Sequence, residues 1–237
     1  MENYSGAYII QRQRKGGGRK PPNGRRHGAA ALIVLLLLLT AGIIFLVIIL
    51  PRLPSGSSVT SAEYTFYLLA VDSTDDYLDA AIKVKDATSR GGGGYVYNDG
   101  KYNIIAAAYT REAEAKAIAE INEGSYYITL DIPKTTNASD ANIVKYICGE
   151  FFSELTDVAT SVDRGTLTDA AADLIVYDKM MKLSVMIDSG ASAELAFALD
   201  GCRSYEAGGG SRSQLSYIRY VTVQALVGAY NGLSAGA

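Results

Sequence analysis

From residue 64 onward, the hydrophobic pattern alternates between a period of two and a period of three to four, which predicts a mixed α+β fold. Asn98-Asp99-Gly100 is the turn signal of a hairpin. The predicted segments are strands at 64–70, 95–97, 102–109 and 126–132 and helices at 74–89 and 111–121. This β-α-β-β-α-β order predicts a four-stranded antiparallel sheet with two helices on one face.

After Pro133 the spacing of apolar residues becomes helical and predicts a C-terminal α-helical bundle. The predicted helices cover 141–161, 168–190 and 192–199, and a last helix contains Leu215 to Leu226. Long helices with short links favour an antiparallel bundle. We therefore expect two folded domains, 64–133 and 134–237, after a linker at 51–63.

An uncharged apolar segment from Ala29 to Leu50 precedes these domains and predicts a transmembrane helix. At about 1.5 Å per residue it would span about 30 Å of hydrocarbon. Residues 1–28 carry seven Lys or Arg residues and one acid, which predicts a disordered cytoplasmic tail and extracytoplasmic C-terminal domains. A cleaved signal peptide is the alternative, although its apolar region is usually only about 7–15 residues long. The expected location is therefore the cell membrane, as a single-pass protein in contact with the lipid bilayer.

Composition restricts the chemistry that is available outside the membrane. The chain has one histidine, His27, which lies in the predicted cytoplasmic tail. Ser-His-Asp triads, Cys-His dyads and histidine-based zinc sites all need imidazole. We therefore expect no catalytic residue, no metal, no cofactor and no enzymatic activity. The basic tail has no folded frame, so we expect no nucleic acid partner either.

Cys148 and Cys202 leave two alternatives open. A disulfide between them would close a loop of about 54 residues and contribute about 3–4 kcal/mol in the chain-entropy model. Cys148 lies close to Ile147 and Phe151 in a predicted helix, which favours the alternative of a buried free thiol.

The segment 102–118, YNIIAAAYTREAEAKAI, joins a strand ending at Tyr109 to an alanine-rich helix capped by Thr110. With these features, residues 64–132 resemble the SPOR (sporulation-related repeat) domain of bacterial cell-envelope proteins, over about 30% of the chain. The first strand departs from that family, which has glutamine where Tyr67 stands and glycine where Leu69 stands. The resemblance implies a non-catalytic single-span protein that binds peptidoglycan glycan strands in cell division or sporulation.

Alternation along the strands assigns their side chains to two faces of the sheet. The predicted helix-facing set is Phe66, Leu68, Val96, Ile104, Ala106, Ile128 and Leu130. The predicted open face carries Leu69 and Ile105 together with the candidate glycan-binding residues Tyr67, Tyr95, Tyr97, Asn103, Tyr127 and Thr129. Tyrosine rings stack on sugar rings while their hydroxyl groups form hydrogen bonds, which suits a saccharide platform.

The same open face supports a second hypothesis. Leu69 and Ile105 make it apolar, and exposed apolar faces mark protein interfaces, so the helical domain or another protein could cover it. The chain would then be an assembly or scaffold protein, with envelope, division or sporulation proteins as partners.

Overall fold

Four antiparallel strands form one sheet in the order β2-β3-β1-β4. The computed structural model describes residues 64–234, so the predicted tail, transmembrane helix and linker lie outside the described residues. The strands are β1 (Tyr64–Thr74), β2 (Tyr95–Asn98), β3 (Tyr102–Tyr109) and β4 (Tyr126–Ile132), with helices α1 (Tyr77–Ser89) and α2 (Glu112–Ile121) as the crossovers. The predicted β-α-β-β-α-β order and antiparallel sheet are confirmed.

Helices dominate the rest of the described chain, as predicted. They are α3 (Ala138–Tyr146), a π-helical segment (Ile147–Phe151), α4 (Phe152–Asp163), α5 (Asp169–Gly190), α6 (Ala193–Ala198) and α7 (Gln214–Ser234), with two 3₁₀ turns (Asp200–Arg203 and Ala207–Gly209) before α7. Within residues 64–234, none of these helices combines the length and apolar character that a membrane crossing requires.

An irregularity in the pairing of β1 with β3 decides which side chains share a face. Leu69 pairs with Ala107, whereas the next residue, Ala70, pairs with Ile105. A second irregularity follows before Asp72. Because side chains alternate with a period of two, a shift of one residue moves the side chains beyond it to the opposite face. The faces of β2 and of the first half of β3 are therefore exchanged relative to unbroken alternation.

The predicted face assignment is wrong for this reason. The prediction is right about which side chains share a face within the β1–β4 pair, and also within the β2–β3 pair. It is wrong about how the two pairs combine, because it puts Tyr95 and Tyr97 on the same face as Tyr67. The first face carries Phe66, Leu68, Tyr95, Tyr97, Asn103, Ile105, Ile128 and Leu130. The second face carries Tyr67, Leu69, Val96, Ile104, Tyr127 and Thr129, and α1 and α2 pack against it.

The C-terminal helices cover the first face. The ring of Phe66 lies 4.9 Å from that of Phe152 in α4, and the ring of Tyr95 lies 5.7 Å from that of Tyr220 in α7. Ile105 is fully buried in the same core as these helices. The two parts that were predicted as separate domains, 64–133 and 134–237, therefore share one hydrophobic core.

A glycine run after α1 allows α7 to approach the sheet closely. Ser216 Oγ donates a hydrogen bond of 2.6 Å to the carbonyl oxygen of Gly92, and Arg219 Nη1 donates one of 2.8 Å to that of Gly91. A Cβ atom on Gly93 would lie 3.0 Å from backbone atoms of Arg219 and Tyr220. The glycine run therefore ends α1, as predicted, and also forms the surface on which α7 packs.

Candidate functional site

The six predicted glycan-binding residues do not form one open surface. Tyr95, Tyr97 and Asn103 lie on the first face, beneath the C-terminal helices, whereas Tyr67, Tyr127 and Thr129 lie on the second face. The register shift at Leu69 and Ala70 separates the two groups. Coverage by the helical domain, the alternative that the sequence left open, is found for one half of the predicted open face, which includes Tyr95, Tyr97 and Ile105.

Asn103 has a structural position inside the sheet. Its side chain is buried, and its Nδ2 donates a hydrogen bond of 2.7 Å to Asp99 Oδ1 in the β2–β3 turn. Its Oδ1 accepts a hydrogen bond from the hydroxyl group of Tyr126 in β4. These bonds tie the hairpin to the opposite edge of the sheet and leave Asn103 enclosed.

The second group remains near the surface beside α2. The Tyr127 hydroxyl group donates a hydrogen bond of 2.5 Å to Glu112 at the start of α2, and this bond raises the pKa of Tyr127. The rings of Tyr67 and Tyr127 meet edge to face at 5.9 Å, and Thr129 is exposed. The surface beside α2 therefore offers two tyrosine rings, whereas the predicted platform has four.

The two cysteines are buried free thiols, so the disulfide that the sequence left open is not formed. Burial raises the pKa of Cys202 to about 12 and also raises that of Cys148, which keeps both as unreactive thiols near neutral pH. Within residues 64–234, no three His, Cys, Asp or Glu side chains converge into an arrangement that could hold a metal ion.

A cleft of about 430 Å³ lies at the outer edge of β2. In the described sheet β2 pairs only with β3, so this edge has no neighbouring strand. Its main lining side chains are Tyr77 and Ala81 of α1, Tyr95 of β2, Arg212 of the loop before α7, and Tyr220 and Gln224 of α7. The cleft lies beside the edge strand, between α1 and α7, which pack on opposite faces of the sheet.

The cleft combines aromatic rings with one positive charge. The guanidinium carbon of Arg212 lies 4.1 Å from the centre of the Tyr220 ring, a cation–π contact. Burial raises the pKa of Tyr95 to about 12 and also raises that of Tyr220, so both hydroxyl groups stay protonated near neutral pH. The cleft can therefore offer hydroxyl hydrogen bonds, ring faces and a cation to one ligand.

Most of this cleft leaves no signal in the sequence. Tyr77 lies far in the sequence from Arg212 and Tyr220, and none of the three stands in a motif or at a distinctive spacing. Tyr95 was predicted as a ligand-binding residue, but within a different surface. The one available signal is a positive charge, Arg212, at the end of a loop rich in glycine and serine.

No protein-family model matches the chain, and no curated protein and no solved structure matches it either. The resemblance to the SPOR domain therefore rests only on the residues from Tyr64 to Ile132. The membership that this resemblance implies stays a prediction.

Proposed function

We propose that this chain is a non-catalytic, single-pass envelope protein that assembles with other envelope proteins through the surface of α5. The uncharged segment 29–50 and the basic residues before it support the membrane anchor and its orientation. The observation that carries the assembly role is an exposed apolar stripe on α5, the longest described helix. The sheet is less suited to that role, because the C-terminal helices and α1 and α2 cover its two faces.

The stripe consists of Leu174, Tyr177, Met181 and Val185. Their spacing of three or four residues places them on one side of α5. Their exposed fractions range from 39% at Met181 to 71% at Leu174. The opposite side of α5 is buried in the core, so the helix is apolar on two sides. A helix that presents a second apolar stripe to water has the pattern of an interface helix.

Charges around the stripe indicate the chemistry of the partner. Lys182 Nζ lies 2.8 Å from Glu150 Oε1, and Lys179 Nζ lies 2.7 Å from Glu154 Oε2. Both lysines of α5 therefore already form ion pairs. The carboxylate of Asp178 lies 3.8 Å from Lys179 Nζ and is 75% exposed, so three acids stand against the two lysines. This surplus of acid fits a basic amphipathic helix, whose apolar side would cover the stripe while its lysines or arginines meet the acids.

Replacing Leu174 by Ser should weaken the binding of such a helix about tenfold, because the exposed leucine would lose its buried contact with the partner. The full chain in detergent would be titrated with a labelled synthetic helix that has leucines on one side and lysines on the other. Leu78→Ser in α1 is the matched control, since Leu174 and Leu78 are 71% and 75% exposed. Equal effects of both substitutions, or no binding of the helix to the unmodified chain, would refute the proposed role of α5.

Peptidoglycan binding is the second candidate function. The cleft beside β2 favours it, because three tyrosines and an arginine converge there at a site large enough for a sugar ring. In this proposal, glycan or peptide groups bind at the sheet edge instead of on an open sheet face.

A further inference from the structure

Arg212 holds a positive charge in the cleft without a carboxylate partner. Within residues 64–234 its guanidinium group makes no ion pair, and its Nε is buried without a hydrogen bond. Burial raises the pKa of Tyr220, and the nearby charge of Arg212 opposes this rise, whereas Cys202 and Glu206 add to it. A partly dehydrated guanidinium group attracts carboxylate more strongly than a fully hydrated one does.

The tyrosines form the rest of the recognition surface. Tyr77 is 64% exposed at the rim, whereas Tyr95 and Tyr220 are half-buried and contact each other. Tyr77 is itself supported by an edge contact of 5.7 Å with Tyr102 in β3. Rings fixed in this way lose little freedom on binding, and they suit a flat or ring-shaped ligand.

We propose that the cleft beside β2 binds a small ligand that presents a carboxylate to Arg212 and a flat or sugar-ring face to Tyr77, Tyr95 and Tyr220. Two sources can supply this carboxylate, an acidic amino sugar and the free carboxyl end of a short peptide. Both belong to peptidoglycan, so the inference deepens the second candidate function and rests on it for the choice of probes. It is independent of the α5 surface.

Isothermal titration of the full chain in detergent tests the site with two matched pairs of probes. N-acetylmuramic acid is compared with N-acetylglucosamine, which lacks the carboxylate, and N-acetyl-alanyl-alanine is compared with its C-terminal amide. We expect at least one acid to bind about tenfold to 100-fold more tightly than its neutral partner, as charge-assisted hydrogen bonds predict. The pair that shows this preference identifies the source of the carboxylate.

Arg212→Gln should abolish that preference for the acid. The control is Arg90→Gln, which removes an arginine that is exposed and paired with Asp86 and should leave binding unchanged. Tyr77→Ala gives a second test at an exposed residue and should weaken both members of the preferred pair. Equal binding of acid and neutral probes, absence of binding by all four, or the same effect from both arginine variants would overturn the inference. If the chain binds peptidoglycan at another site, it should bind intact sacculi, and Tyr77→Ala should not change that binding.

Discussion

Replacing Ile105 by Ala should lower the free energy of unfolding by about 2–5 kcal/mol, the range for deleting a large aliphatic side chain from a core. Ile105 is fully buried in the core that the sheet shares with the C-terminal helices. The matched control is Ile82→Ala in α1, where the side chain is 71% exposed and the expected change is within about 0.5 kcal/mol. Denaturant unfolding of the full chain measures both.

Ile105 discriminates between the two arrangements of the sheet. With unbroken alternation, this residue would belong to an open face, and its truncation would cost little. Comparable effects of Ile105→Ala and Ile82→Ala would therefore contradict the coverage of the first face by the C-terminal helices.

Gly232→Ala should destabilise the chain by about 2 kcal/mol. A Cβ atom at this position in α7 would lie 2.7 Å from the Cα atom of Leu195 in α6. A backbone atom cannot rotate away, so we expect an overpacking cost of about 3 kcal/mol, offset by about 1 kcal/mol of improved helix propensity. Thermal and denaturant unfolding would show the loss.

Gly149→Ala is the control for this substitution. Gly149 is exposed in the π-helical segment, and a Cβ atom there would meet nothing within 4 Å. We expect unchanged or slightly increased stability. If Gly232→Ala behaved like Gly149→Ala, the close approach of α6 to α7 would be wrong.

The order of strands and helices could be predicted because its signals are local. The turn signal at Asp99-Gly100 and the helical spacing of apolar residues after Pro133 both act within a few residues. The β-α-β-β-α-β order also predicts the four-stranded antiparallel sheet that the structure shows. These features need no knowledge of distant contacts.

The faces could not be predicted, because the first register shift falls where the sequence has no contrast. Ala106, Ala107 and Ala108 are all small and apolar, so alternation through them does not show which residue is extra. Because of this exchange of faces, Tyr95 and Tyr97 lie beneath the C-terminal helices. The predicted glycan platform is therefore divided between the two faces of the sheet. Likewise, Arg212 and Tyr220 reach the cleft only because α7 docks on Gly93, a contact between segments over 100 residues apart.

A double-mutant cycle on Phe66 and Phe152 tests the central claim, that the C-terminal helices of the chain cover the first face of its own sheet. The two rings lie 4.9 Å apart, with Phe66 in β1 and Phe152 in α4. We predict that Phe66→Ala and Phe152→Ala, measured singly and together in the full chain, are coupled by about 0.5–1.5 kcal/mol in the free energy of unfolding. Effects that add within about 0.3 kcal/mol would show that the rings are not in contact and would contradict the claim.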